Sequence, residues 1–119
     1  MPKQLIPTED QEQTAFCSWL TKTKVKFYAI PNGGSRNFFE AMKLQRTGVK
    51  SGVPDICIPV MRGEFGALYI EMKRQKGGKV SETQEEWLLY LSSSGYMAKV
   101  ANGFDHARKI VESYLSLDS

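Results

Sequence analysis

Asp55, Glu71 and Lys73 are the residues of this 119-residue chain whose types and spacing could do chemistry. They sit in the segments Gly-Val-Pro-Asp55-Ile and Tyr-Ile-Glu71-Met-Lys73. Two apart on a strand, Glu71 and Lys73 point to one face, about 7 Å apart along the chain. Met61 to Gly66 reads as a turn, and antiparallel pairing through it would bring Asp55 to the same face and end as Glu71. Two carboxylates at close range repel unless a cation sits between them. Hard divalent ions such as magnesium and manganese take oxygen ligands of this kind. Such an ion polarises a phosphoryl oxygen and makes its bound water more acidic. A neighbouring lysine can orient that water or stabilise charge developing on phosphate. Taken singly, each residue has a plainer reading, as a turn aspartate or a solvated strand pair. Cys57, Ala67 and Tyr69 share the same face, however, and helices are available to cover it. Buried acids need partners.

The elements that must position these residues follow from caps and periodicity. Thr8-Glu-Asp-Gln11 has the form of a capping box, and Ala15, Phe16, Trp19 and Leu20 continue it as an amphipathic helix to about Lys22. Val25 to Ile30 reads as a strand, stopped by Pro31-Asn-Gly-Gly34. A short helix is expected over Phe38 to Arg46, then a loop of small residues to Gly52. Ile56, Ile58 and Val60 share one strand face, with Asp55, Cys57 and Pro59 opposite. In the next strand Leu68, Ile70 and Met72 share a face, leaving Tyr69, Glu71 and Lys73 on the other. Arg74 to Lys79 is a basic loop. Ser81-Glu-Thr-Gln84 is a second capping box, opening a helix through Trp87, Leu88 and Leu91 to a stop near Gly95. A strand over Tyr96 to Ala101, a turn at Asn102-Gly103 and a helix over Asp105 to Leu117 complete the chain. This order implies an α/β domain with a central mixed sheet and flanking helices. Phe16, Trp19, Trp87, Tyr90 and Leu91 read as core, with a dimer face as the alternative for some of them.

Length and composition bound the rest. The chain is long enough for one core, read as a leader over residues 1–7 and a single domain over 8–119. Its 41% apolar and 24% charged residues are ordinary for a globular protein. A net charge of +3 mildly favours a polyanionic partner. No apolar run approaches the ~20 residues of a membrane span, and no signal-peptide pattern is present. Cys17 and Cys57 each sit in apolar patterns and read as buried thiols in a reducing cytoplasm. With His106 the only histidine, the usual zinc spacings are excluded, so any metal must be held by oxygen.

Pro54-Asp55 followed by Glu71-x-Lys73 resembles the PD-(D/E)xK nuclease signature, and the surrounding text resembles its VRR-NUC branch. The matching blocks are Pro31-Asn-Gly-Gly34, Gly48-Val-Lys-Ser-Gly-Val-Pro-Asp55, Tyr69-Ile-Glu-Met-Lys73, Val80-Ser-Glu-Thr-Gln84 and Leu91-x-x-x-Gly95. The resemblance runs from about Thr8 to Tyr114. It implies a restriction-endonuclease-like fold and hydrolysis of DNA phosphodiesters with Mg2+ or Mn2+. By match, Asp55 and Glu71 are metal ligands with the backbone carbonyl of Met72, and Lys73 is the catalytic partner. The resemblance further implies a homodimer acting on branched DNA of the Holliday-junction kind, and the compactness fits a phage product.

Accessory roles follow from the same resemblance, each beside a plainer one. The family places a glutamate of the first helix near the metal. Glu9 fits its spacing, with Glu12 one turn on as the alternative, although Glu9 and Asp10 also complement a helix dipole. Gln84 matches a glutamine beside the active site, yet it completes a capping box as well. Asn32, Gly33, Gly34 and Arg36 could approach a phosphate, or form only a turn. Lys43, Arg46, Lys50, Arg74, Lys76 and Lys79 could contact DNA backbone, or be solvated surface. His106 reads as a surface residue. A catalytically silent nucleic-acid-binding module and a protein-interaction subunit are the rival readings.

Overall fold

The computed structural model describes residues 5–31 and 37–119. Its elements run α1 (Glu9–Lys22), β1 (Tyr28–Ala29), α2 (Phe38–Arg46), β2 (Ile56–Ile58), β3 (Leu68–Lys73), α3 (Glu82–Ser93), β4 (Met97–Asn102) and α4 (Phe104–Leu115). The described strands form one mixed sheet in the order β1-β2-β3-β4. β1–β2 and β2–β3 pair antiparallel, and β3–β4 pair parallel through the α3 crossover. This is the α/β arrangement that the pattern of elements implies.

Both expected capping boxes are present. Thr8 and Gln11 cap α1 reciprocally, and Ser81 and Gln84 do the same for α3. Each pair satisfies backbone donors that the first turn of a helix leaves without partners. Asn37 caps α2 through its side chain. The Arg62–Phe65 bridge closes the tight turn between β2 and β3. The core lies where Phe16 and Leu20 of α1 and Ala107, Val111 and Tyr114 of α4 meet Ile56, Ile58, Leu68, Ile70 and Met72 of the sheet. Tyr114 is buried there and donates its hydroxyl to the Val60 carbonyl at 2.6 Å.

The structure corrects two expectations of the sequence. The strand over Val25 to Ile30 reduces to Tyr28–Ala29. Lys24 turns into the left-handed region at φ 62°, and the Val25 N–H bonds back to the Leu20 carbonyl, so the C-terminal turn of α1 takes up the start of the segment. Val25 and Phe27 pack on the core without joining the sheet. Tyr90, read as core, is 62% exposed, because α3 turns Leu91 inward and Leu89 and Tyr90 outward.

Candidate active site

The β2–β3 register sets the site. Ile56 pairs with Ile70, so the next step places Asp55 opposite Glu71, where β2 has ended and Asp55 begins the approach. Asp55 Oδ2 accepts the Met72 N–H at 2.7 Å, a side chain taking the place of a ladder partner. Within a strand the N–H and C=O of one residue point to the same side, so the Met72 carbonyl is turned toward Asp55 as well. Asp55, Glu71 and Lys73 are all buried, at 5%, 1% and 6% exposure. Glu9, on the first turn of α1, reaches the same point. One carboxylate oxygen from each of Glu9, Asp55 and Glu71 lies within 4.8 Å of the other two.

Burial and like charge govern this cluster. Desolvation, then the Asp55 carboxylate, pushes the Glu71 pKa up to about 8, against the opposing pull of Lys73. Burial also raises Glu9, with Lys73 lowering it and Asp55 raising it further. Glu71 Oε1 is buried with no hydrogen-bond partner among the described residues. An acceptor buried without a donor is unfavourable, and a cation held among these converging carboxylates would give Glu71 Oε1 a partner. The donor set is oxygen only, which fits magnesium or manganese and not zinc in its sulfur and nitrogen sites.

Gln84 locks the other half of the site. Its Oε1 accepts from Lys73 Nζ at 3.0 Å and from the Ser81 N–H at 2.9 Å, while its Nε2 donates to Glu71 Oε2 at 3.1 Å. The Lys73 ammonium and the Ser81 N–H can only donate, so these two partners fix which end of the Gln84 amide is the oxygen. Lys73 Nζ lies 3.6 Å from Glu71 Oε2. The capping role and the position beside the acidic cluster are therefore held at once by one side chain. A Cβ at Gly52 would meet the Thr83 backbone at 2.9 Å, and Gly52 adopts φ +92°, so only glycine lets the loop before Asp55 lie on the first turn of α3.

A family model described as the VRR-NUC domain matches residues 4–105. The chain belongs to the VRR-NUC family. A solved structure titled "VRR_NUC domain protein" is similar to this VRR-NUC chain at 30% identity, covering 97% of this chain and 93% of that one with a TM-score of 0.83. No curated protein matches the chain. The family makes it a nuclease domain, with an acidic cluster that could hold a metal.

The remaining sequence candidates of this VRR-NUC domain divide. Glu12, the alternative to Glu9, is buried but occupied elsewhere. Its Oε1 accepts the Phe104 N–H at 2.9 Å and its Oε2 accepts Gln75 Nε2 at 2.8 Å. Gly103, at the N-cap of α4, has no side chain to do this, and a Cβ there would meet Gln75 Cγ at 2.8 Å. Lys43 and Arg46 are exposed on α2, Lys50 is exposed in the following loop, and Arg74, Lys76 and Lys79 are exposed in the β3–α3 loop. Within that loop Gly78 folds back onto the Lys73 stem. Asn32, Gly33, Gly34 and Arg36 lie outside the described residues. His106 is exposed and accepts the Asn102 N–H on Nδ1. Sequence reasoning missed Gly52, Gln75 and Gly78; a glycine three residues before the aspartate was the one available signal. Among the described residues no helix is long and apolar enough to cross a membrane.

Proposed function

We propose that residues 8–119 form a magnesium- or manganese-dependent deoxyribonuclease that hydrolyses phosphodiester bonds of branched DNA. The observation that carries this reading is the convergence of Glu9, Asp55 and Glu71 around a buried Glu71 oxygen that has no partner among the described residues, with Lys73 beside it. Asp55, Glu71, Glu9 and the Met72 carbonyl are the groups that would hold the ion. When bound, the ion supplies Lewis-acid polarisation of a phosphoryl oxygen and a water acidic enough to attack near neutrality.

The side chains of this chain do the positioning. Lys73 is aimed by the Gln84 amide rather than left to roam on its four-carbon stem, so its charge is preorganised for the negative charge that develops on phosphate. Gln84 also fixes Glu71 Oε2, leaving Oε1 as the free coordination point. The first turn of α3 presents its positive end at the same place, which favours an anion. Lys43, Arg46, Lys50, Arg74, Lys76 and Lys79 would neutralise phosphates on either side with little base preference.

The homodimer belongs to the same proposal. Leu89 and Tyr90 on α3, exposed at 70% and 62%, offer an apolar contact to a second copy, and a two-fold pair would set two sites on the strands of a branched substrate. The decisive test is cleavage of branched, flapped and linear DNA by wild type and Lys73→Ala, with light scattering for the mass. We expect magnesium-dependent cleavage of the branched form, lost with chelator and reduced at least about a hundredfold by the substitution. Equal cleavage by the two proteins would sink the mechanism. Cleavage by a monomer would remove only the dimer.

A further inference from the structure

α2 is the one described helix with no buried residue, and it packs against none of the other described helices and strands. Ala41 and Leu44 are its half-buried positions. On the other side Phe38 is 71% exposed, Phe39 79% and Met42 42%. At 3.6 residues per turn, Phe38, Met42, Arg46, Phe39 and Lys43 fall in one sector of about 140°. The one acid of the helix, Glu40, lies outside it. The Phe38 and Phe39 rings contact edge-to-face with centroids 5.7 Å apart, so the two make one apolar platform. Exposed aromatics interleaved with cations are an unusual surface. A solvated helix has no use for the rings, and a core-facing helix has no use for the charges.

Resting on the nuclease reading, we propose that this face of α2 binds unpaired nucleotides of the substrate. Bases would stack on Phe38 and Phe39, and Lys43 and Arg46 would hold the flanking phosphates. The charge pattern favours this occupant over a second copy. A two-fold contact would carry Lys43 into the interface, where lysine is depleted. It also favours unpaired nucleotides over duplex. Duplex offers phosphates to the cations, but its bases are already stacked on one another. Unpaired bases present free flat faces, and stacking on aromatic side chains beside a cationic track is how such strands are held. The helix is also tethered to the site. From Thr47 at its C-terminal cap, five residues lead to Gly52, which lies on Thr83 beside Gln84, so the end of α2 is within about 18 Å of α3. Selectivity for branched or flapped DNA would then come from this helix.

The test is binding in chelator, so that cleavage plays no part. Fluorescence anisotropy would compare a labelled DNA bearing a single-stranded arm with a fully paired duplex of equal length, for wild type and Phe38→Ala/Phe39→Ala. A 2-aminopurine in the arm reports stacking directly. We expect the double variant to bind the armed DNA about tenfold more weakly and to lose the 2-aminopurine quenching, while duplex affinity stays within about twofold. Lys43→Glu/Arg46→Glu should weaken both DNAs and flatten the salt dependence. Equal loss on the two DNAs, unchanged quenching, or a shift to smaller mass by light scattering would overturn the proposal, the last by making the face a contact between copies. Both rings are exposed, and matching melting curves would show that the variant folds. If wild type binds neither DNA, the nuclease reading itself fails. If wild type binds and the variant is indistinguishable from it, only the role of α2 falls.

Discussion

At the scale of single residues, Glu71 is the group under most tension. Burial and the Asp55 carboxylate raise its pKa from 4.5 to about 8 in the folded chain without metal. The sign of the linkage follows. The folded state binds the Glu71 proton more tightly than the unfolded state, so the stability from this group is fully present below about 4.5 and is lost as pH rises through about 8. Glu71→Gln removes the titrating charge and keeps the shape. In metal-free protein the variant should therefore melt above wild type at pH 8 to 9, with the gap closing toward pH 5. It should also lose cleavage, since an amide is a poor ligand for a hard cation. Thermal melts across this range in chelator are the check. A variant that melts below wild type at high pH would show that Glu71 is not held against its neighbours as described. Asp55 and Lys73 were legible at this scale because a strand register and a two-residue spacing are written in the sequence. The choice between Glu9 and Glu12 was not, because both lie one helical turn apart and only tertiary contacts separate them.

At the scale of elements, helices were more legible than strands for a physical reason. The helix caps are local, so Thr8 with Gln11 and Ser81 with Gln84 announce α1 and α3 from neighbouring residues. Strand length depends on what pairs alongside, and Val25 to Phe27 gave way to the α1 C-terminal turn. The start of α4 was legible to within one residue from the Asn102-Gly103 turn, but its cap was not, because that comes from another helix. Glu12 of α1 accepts the Phe104 N–H and Gln75 Nε2, joining α1, the end of β3 and α4 at one buried carboxylate. The Gly103 N–H bonds to the Lys73 carbonyl at 2.9 Å, so the junction abuts the site itself. Glu12→Ala should leave these donors without their charged acceptor and lower stability by about 2–3 kcal/mol. Glu12→Gln, which can still accept from Phe104, should restore part of it. Chemical denaturation measures both. Because Glu9 lies one turn away on the same helix, Glu12→Ala should also weaken magnesium binding, and an unchanged metal affinity would show that α1 is held by its core face alone.

At the scale of the whole molecule, the acidic site and the hydrophobic core pull in opposite directions. Phe16, Leu20, Ile70 and Met72 favour folding through burial, while the Asp55 and Glu71 carboxylates are carried into the same interior and half-buried Glu9 closes on them, with one lysine against three acids. A ligand that binds the folded chain and not the unfolded one shifts this balance by mass action. At a hundredfold excess over its Kd, magnesium should stabilise the protein by about 2.7 kcal/mol. For a chain of this size that is a rise in Tm of roughly 10 °C. The rise should be larger at pH 8 than at pH 6, because the Glu71 proton must leave before its carboxylate can serve, and that is easier as pH approaches about 8. Proton release during the titration, read by calorimetry in two buffers of different ionisation enthalpy, gives the same answer independently. Calcium-free protein titrated with magnesium after exhaustive chelation is the sample to use, with Glu71→Gln beside it. A Tm that rises equally in wild type and Glu71→Gln would mean that the ion binds elsewhere on the molecule. A rise confined to wild type, growing with pH and reversed by chelator, would show that the cation relieves the charge that folding concentrates at this point.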